Sequence, residues 1–243
     1  MKKLILLIAI FVVFISCNIF DFSDDDTSID YDSIVLDTFI VNNYSEDALE
    51  LYFREIKADS THPNYNNPIF DTNEVEKVLK IIQAVYDSDL SQRDIVFKTY
   101  DIHARPRYDF HTILLGVDTG AIEIKNLISG NIPTGNDDLD SILINFHFDS
   151  VETFNIISSI IIYSSENYNL LPIMNELENI PSITHAEPNF CYGDGNNITL
   201  NRKIDSPKIT FSIGYGDCMA GCIHREYWEF QIVGNKAKFV RSY

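Results

Sequence analysis

The 243-residue sequence is poor in basic side chains, and this shortage excludes one broad class of function. It has 18 lysines and arginines against 36 aspartates and glutamates, a formal net charge of −18. Binding to DNA or RNA draws much of its free energy from basic side chains that displace counterions from phosphates. An acidic surface opposes that contact, so we expect no nucleic-acid partner, whereas cationic partners are compatible with the composition.

The sequence also lacks the short motifs that frame common active sites. It contains no phosphate-cradling glycine loop and no nucleophile elbow around a serine. Five of its six histidines are scattered without the spacing of metal ligands: His62, His103, His111, His147 and His185. We therefore expect a non-catalytic protein without a cofactor. A hydrolase is the least favoured alternative, because it requires a triad that only the fold can assemble.

No apolar run is long enough to cross a bilayer. Residues 4–15 form an unbroken apolar run that spans roughly 18 Å as a helix, against a hydrocarbon core of about 30 Å. Lys2 and Lys3 precede this run, as basic residues do in secretory signals. Residues 1–16 are therefore interpreted as a signal peptide.

The signal ends in Phe-Ile-Ser-Cys at residues 14–17, which resembles a lipobox, although Phe14 stands where leucine is commoner. The resemblance implies that Cys17 is lipidated and anchors the chain in a membrane. The protein would then lie outside the cytoplasm, at the outer membrane or cell surface. The alternative is ordinary signal cleavage with an incidental cysteine, but no small-x-small cleavage site follows Cys17.

Residues 17–34 are interpreted as an acidic tether. Asp24, Asp25 and Asp26 follow one another, and an anionic bilayer repels such a run. The run resembles the acidic export signal that sends some lipoproteins to the surface of certain Gram-negative bacteria; a solvated linker is the alternative. Because residues 18–34 have few core-forming side chains, we expect them to be disordered.

Hydrophobic periodicity predicts an α+β fold in three parts. The predicted helices are residues 46–56, 72–86, 137–146 and 170–180, and the predicted strands are 111–118, 156–163, 182–187, 208–213, 225–233 and 236–242. Residues 35–110 would be a helical N-terminal segment. Residues 111–189 follow the order of a ferredoxin-like α+β unit. Residues 190–243 would be an antiparallel β-meander with a hairpin turn at Gly234-Asn235.

Two segments resemble known families. Residues 182–189, Ser-Ile-Thr-His-Ala-Glu-Pro-Asn, resemble the end of subtilisin-type peptidase propeptides, with Ala-Glu-Pro-Asn as the sharpest element. Those propeptides are ferredoxin-like domains that chaperone or inhibit their protease, so the resemblance implies a protein or peptide partner and no peptidase activity. Residues 216–224, Gly-Asp-Cys-Met-Ala-Gly-Cys-Ile-His, look like a motif of an uncharacterised bacterial lipoprotein family.

The cysteines of that second motif allow several kinds of site. Outside the cytoplasm, Cys218 and Cys222 most simply form a disulfide; a bond from Cys191 to either one is the alternative. A zinc site would combine Cys218, Cys222 and His224, with or without Cys191, but its spacing matches no strong template. A nucleophilic cysteine would need a free thiol, His224 as its base and an orienting group such as Asp217.

A glycine- and asparagine-rich loop at residues 193–197 is a further candidate metal site. Asp194 and Asn196 offer alternating oxygen ligands, as calcium loops do, but the later bidentate glutamate of an EF-hand is missing. Such a run more often simply turns the chain. The leading hypothesis is thus a lipid-anchored module that binds a protein or peptide. A metal-binding protein that uses Cys218, Cys222 and His224 is the second hypothesis.

Overall fold

The computed structural model describes residues 28–105, 107–153, 158–190, 193–203 and 206–243, so Cys17, Cys191 and the acidic run lie outside the described residues. Its α-helices are α1 (Thr38–Lys57), α2 (Thr72–Tyr86), α3 (Ser91–Asp94), α4 (Ile122–Ile128), α5 (Asp137–Asn145) and α6 (Leu170–Leu177). Its strands are β1 (Tyr108–Val117), β2 (Phe148–Thr153), β3 (Ser159–Ser164), β4 (Ile183–Phe190), β5 (Asn197–Asn201), β6 (Lys208–Tyr215), β7 (His224–Val233) and β8 (Lys236–Ser242). The predicted α+β class is confirmed, with 34% helix and 30% strand.

The N-terminal helices begin at aspartates. The side chain of Asp37 accepts a hydrogen bond from the Phe39 amide at 2.6 Å, and the side chain of Asp71 accepts one from the Asn73 amide at 3.0 Å. Each bond satisfies an amide that the first helical turn leaves without a partner. α2 matches its prediction, whereas α1 begins eight residues before the predicted start, because its apolar stripe begins at Ile40.

The middle segment has the ferredoxin-like topology. Its strands lie in the order β2-β3-β1-β4, with β1 antiparallel to both β3 and β4. All three of its helices pack on one face of this sheet, against Ile113, Leu115, Ile160 and Ile162. Helix α4 was not predicted. Residues 108–190 are called the ferredoxin-like module below.

The C-terminal sheet is a meander in the order β5-β6-β7-β8. It has one strand more than predicted, because β5 pairs with β6 from Asn197 opposite Ser212 to Asn201 opposite Lys208. The predicted turn joins β7 to β8. Trp228 is 6% exposed and faces the core, on the side opposite Tyr227 as the alternation predicts.

The two ends of the described chain share one hydrophobic core. The meander contributes six fully or nearly buried side chains, which join those of α1 and α2: Ile198, Ile209, Phe211, Trp228, Phe230 and Ile232. Residues 28–107 and 193–243 are therefore called the composite module. The sequence analysis predicted two separate segments here. The helices and the meander each have one apolar face, and each face is buried only when the two pack together.

The expectation of disorder is wrong for residues 28–34. Ile29 forms a parallel β-bridge with Gly234, the Asp30 amide donates to the Gly234 carbonyl at 3.1 Å, and Ile34 is buried. These contacts join the start of the described chain to the turn between β7 and β8. Backbone hydrogen bonds order this segment, and the small number of its apolar side chains gave no sign of them.

Candidate functional site

The sheet of the ferredoxin-like module has a second face, which the helices of the described chain leave uncovered. Side chains alternate along a strand, so the residues between those that face the helices project to this side. Cross-strand pairing sets Glu152, Ile161, Leu114 and Glu187 in one row across the four strands. We call this surface the open face.

The open face has an apolar centre with an acidic rim. Ile161 is buried and Leu114 is half-buried, while Glu152 lies exposed at one end of the row. The hydroxyl of Tyr163 donates to the Glu152 carboxylate, and this hydrogen bond raises the pKa of Tyr163 to about 12. An apolar patch surrounded by charged groups is the usual make-up of a protein-binding surface.

The outer edge of β4 is closed to a further strand. The amide of Ala186 donates to the Glu178 carboxylate at 3.0 Å, and Pro188 has no amide hydrogen to offer. Side chains that occupy or remove edge donors prevent another chain from extending a sheet. A partner of this module is therefore expected on the open face and not along β4.

The loop between β6 and β7 contains a disulfide between Cys218 and Cys222, as predicted. The bend depends on Gly214, because a Cβ atom there would meet Cys222 Sγ and lie 2.8 Å from the Gly195 carbonyl oxygen. Met219 within the loop is 81% exposed. The disulfide thus closes a loop that stands out from the meander.

Asp194 supports this loop from the outside. Its backbone amide donates to the Cys218 carbonyl at 2.7 Å, and its carboxylate accepts from the Cys222 amide at 3.0 Å and pairs with Arg225. The hydrogen bonds from Arg225 and then from Cys222 lower the pKa of Asp194. Both carboxylate oxygens therefore already have protein donors, and Asn196 follows on the short segment that leads into β5.

The candidate metal and nucleophile sites find no support in this geometry. Cys218 and Cys222 are bonded to each other, and thiolates are required both for zinc and for nucleophilic attack. His224 stacks on Tyr215, with ring centroids 5.3 Å apart. Within the described ranges, no three histidine, cysteine, aspartate or glutamate side chains gather as ligands of a metal ion would.

Two buried carboxylates on α1 were missed by the sequence reasoning. Asp47 and Glu50 are completely buried, and they hold the segment that leads into β1. Asp47 accepts from the Ala104 amide at 2.6 Å and lies 2.7 Å from Nδ1 of His103, while Glu50 accepts from the Tyr108 amide at 3.0 Å. The burial of Asp47 could have been predicted from helical periodicity, because Asp47 lies on the same face of α1 as Tyr44 and Leu51.

This buried site changes the titration of His103. The hydrogen bond to Asp47 raises the pKa of His103, and the nearby Asp101 carboxylate adds to the effect. Arg107 opposes it from the other side of Asp47, with its guanidinium 3.5 Å from that carboxylate. Through these contacts the arrangement holds the segment before β1 against α1.

No protein-family model matches the chain, and no match was found among curated proteins or among solved structures. The resemblances to propeptides and to a lipoprotein family therefore stay predictions. None of the helices in the described part of the chain has both the length and the apolar character of a membrane crossing.

Proposed function

We propose that this chain is a lipid-anchored, extracytoplasmic protein that binds another protein or peptide through the open face without catalysing a reaction on it. The observation that carries the proposal is the uncovered sheet face, where Leu114 and Ile161 lie between Glu152 and Glu187. Leu114 is half-buried on this face, so a partner that covers it removes its remaining apolar surface from water, and this burial favours binding.

The membrane anchor rests on the sequence, and the fold is compatible with it. Ile29, which pairs with the turn of the meander at Gly234, lies twelve residues after Cys17. A tether of that length extends at most about 40 Å, which keeps the module near the membrane without burying it. The lipid on Cys17 is the proposed contact with the membrane.

A subtilisin-type peptidase is the first partner to test. Residues 18–243 would be immobilised and the peptidase passed over them, with cleavage of a chromogenic peptide followed in parallel. We expect binding with a Kd of about 1 μM or tighter, equivalent to about 8 kcal/mol. Absence of both binding and inhibition at about 10 μM peptidase would overturn this choice of partner.

A pair of charge-reversal variants locates the contact. Glu187→Lys changes the rim of the open face, whereas Glu176→Lys makes the same change on the exposed side of α6. We expect the first variant to weaken binding at least about tenfold, since a like charge then meets the partner's basic groups, and the second to leave it unchanged. Equal effects of the two variants would place the contact elsewhere.

The anchor is tested separately on the full-length chain expressed in bacteria. We expect the mass of the N-terminal peptide to show acyl chains on Cys17, and Cys17→Ala to move the protein from the membrane fraction to the soluble fraction. An unmodified Cys17 in membrane-bound protein would refute the lipid anchor. It would not affect the proposed binding through the open face.

A further inference from the structure

The outer face of the C-terminal meander is basic, although the chain as a whole is acidic. Residues 206–243 contain five lysines and arginines against three aspartates and glutamates, whereas the chain has a net charge of −18. α1 and α2 pack on the inner face of this sheet, so side chains that alternate with the core residues point away from them. We call the outer surface that carries Lys208, Lys236, Lys238 and Arg241 the basic face.

Cross-strand pairing brings these four cations together. Lys208 of β6 and Lys238 of β8 pair with the same residue of β7 from its two sides, so they are about 10 Å apart across the sheet. Lys236 precedes Lys238 by two residues on the same side of β8, about 7 Å away along the strand. Arg241 pairs with Glu229 further along β8. The cations therefore form one patch that crosses three strands.

One carboxylate lies among these cations and compensates only part of their charge. Glu229 contacts Lys208 at 3.1 Å and Arg241 at 3.2 Å. Lys236 and Lys238 are exposed, and neither forms an ion pair within the part of the chain that the structure describes. Four basic side chains against one acidic side chain leave the basic face with a net charge of +3. This excess attracts anions.

The nearest further acidic residues lie behind the edge of the basic face. Asp87 and Asp89 line a hollow beside Lys236 and follow the end of α2, which packs on the inner side of the meander. Dissolved ions screen charges over about 8 Å at physiological salt. An anionic surface in contact with the basic face therefore interacts with these cations more strongly than with the carboxylates on the other sides of the molecule.

Protection of an edge strand does not account for the whole basic face. Lysines on an edge strand discourage pairing with another chain, and β8 is such an edge. This explains Lys236 and Lys238. Lys208 lies on β6, which has a partner strand on each side, so it protects no edge. The patch crosses the sheet, as a surface for an anionic partner would.

The chain that leads to the proposed lipid anchor reaches the meander beside the basic face. Ile29 pairs with Gly234, only two residues before Lys236. Cys17 precedes Ile29 by twelve residues, so the connection spans at most about 40 Å. A bilayer that holds a lipid on Cys17 is thus always within reach of this end of the meander.

From this geometry we infer that the basic face rests on the membrane through contacts with anionic lipid headgroups. As a statement about the protein in the cell, this rests on the proposed lipid anchor. A lipid chain and a basic patch together hold a protein at a membrane more firmly than either does alone. Each basic side chain close to an anionic bilayer strengthens binding by about fivefold. The contact determines which side of the composite module faces the bilayer.

The test measures how accessible each lysine is while the protein is held on vesicles. Residues 18–243 with an N-terminal hexahistidine tag would be bound through a nickel-chelating lipid, which replaces the anchor on Cys17. One set of vesicles is otherwise phosphatidylcholine, and the other contains about 40% phosphatidylglycerol, an anionic lipid. Acetylation by N-hydroxysuccinimidyl acetate is then measured at each lysine by mass spectrometry.

The expected result is protection confined to the basic face. Acetylation of Lys208, Lys236 and Lys238 should be at least about threefold slower on the anionic vesicles, because headgroups cover them. Lys98 and Lys125 are exposed on other elements and should react equally on both. The protection should disappear at about 0.5 M salt, which shortens the range of surface charges. Equal rates on the two sets of vesicles at all five lysines, or equal slowing at all five, would overturn the inference.

Matched double variants separate the basic face from the total charge. Lys236→Gln with Lys238→Gln removes two charges from the basic face, whereas Lys98→Gln with Lys125→Gln removes two elsewhere. We expect the first double variant to abolish most of the protection of Lys208 and the second to leave it unchanged. Equal effects of the two would show a diffuse charge effect and refute the inference.

A further variant and a soluble polyanion complete the test. Arg241→Gln removes one cation without changing the lysines, and it should reduce the protection of Lys208 by at least about twofold. Its use means that a failure of one variant to fold does not decide the outcome. Protection of Lys208 by heparin but not by anionic vesicles would indicate a soluble polyanion as the partner and overturn the inference.

The chelating lipid makes this test independent of the proposed anchor. If Cys17 carries acyl chains in the cell but the lysines of the basic face are not protected on anionic vesicles, the inference falls and the anchor stands. If the lysines are protected but Cys17 is unmodified, the affinity of the basic face for anionic lipid stands and the anchor falls.

Discussion

The ferredoxin-like module and the composite module differ in how far apart in the sequence their core residues lie. The ferredoxin-like core is drawn from residues 113–186, a single stretch of chain. The composite core joins Ile40 of α1 to Ile232 of β7 and encloses that stretch between its two halves. Sequence proximity alone therefore does not show which elements fold together.

The two modules also differ in how many of their carboxylates are buried. The composite module buries Asp47 and Glu50, which accept from the amides of Ala104 and Tyr108, and Glu50 also pairs with Arg54 at 2.7 Å. The ferredoxin-like module keeps most of its carboxylates exposed, where they contribute little to stability and much to the surrounding field. Buried carboxylates occur in both modules, since Asp140 of the ferredoxin-like module is also buried and accepts from the Thr134 amide at 2.6 Å, but only the composite module buries two of them side by side on one helix.

Of the changes considered, ending the chain at Phe190 is expected to destabilise the composite module most. This removes all six meander side chains from the composite core, and each is worth about 2–5 kcal/mol by analogy with core truncations, against a total stability of about 5–15 kcal/mol. We expect the ferredoxin-like module to keep a cooperative thermal transition and α1 and α2 to lose theirs, as measured by circular dichroism and amide NMR. Native-like signals from α1 and α2 in the shortened chain would contradict the shared core.

A smaller effect is expected from removing the disulfide. The chain-entropy relation for a loop of about five residues gives about 2 kcal/mol, so Cys218→Ser with Cys222→Ser should lower the free energy of unfolding of the composite module by about that amount. Chemical denaturation measures it, with signals from each module followed separately. Cys191→Ser alone is the control and should leave the same bond intact. A loss of stability confined to the ferredoxin-like module would contradict the assignment of the loop.

The smallest expected effect is a pH dependence from His103. Because its pKa is raised in the folded state, the charged ring stabilises the fold fully below the unfolded value of 6.5 and progressively loses that contribution as pH rises through the folded pKa. We expect the free energy of unfolding of the wild type to fall by about 1 kcal/mol relative to His103→Gln between about pH 6 and pH 9. His147→Gln is the control.

Parallel pH profiles for the wild type and His103→Gln would show that the contact with Asp47 does not favour the charged ring. A profile with the opposite slope would show that burial of the ring outweighs the hydrogen bond. Either result would show that the charged form of His103 does not stabilise the composite module.

Much of the ferredoxin-like module could be predicted, because its signals are local. The helical periodicity of residues 137–146 and 170–180 and the apolar strands at 111–118 and 156–163 are all found close to their predicted bounds. No range was predicted for β2, because its single half-buried residue near the middle, Val151, gives a weak alternation. Helix α4 was missed because seven residues span barely two turns.

The candidate site could be predicted only in part. Cys218 and Cys222 are close in sequence, so their pairing was the favoured prediction for a protein expected outside the cytoplasm, with a bond from Cys191 as the alternative. The open face depends on strand order, which sets residues as distant as Leu114 and Glu187 in one row. Pairing register decides which residues share a face, and register is not visible in one strand by itself.

The sequence by itself determined the α+β class, the positions of most helices and strands, the acidic surface and the disulfide, because each depends on local pattern or on composition. Only the tertiary structure decided that α1 and α2 share a core with the meander, that one sheet face lacks helices, and that Asp47 is buried beside His103. These features are contacts between residues far apart in the chain, and such contacts form where apolar faces and buried polar groups find partners.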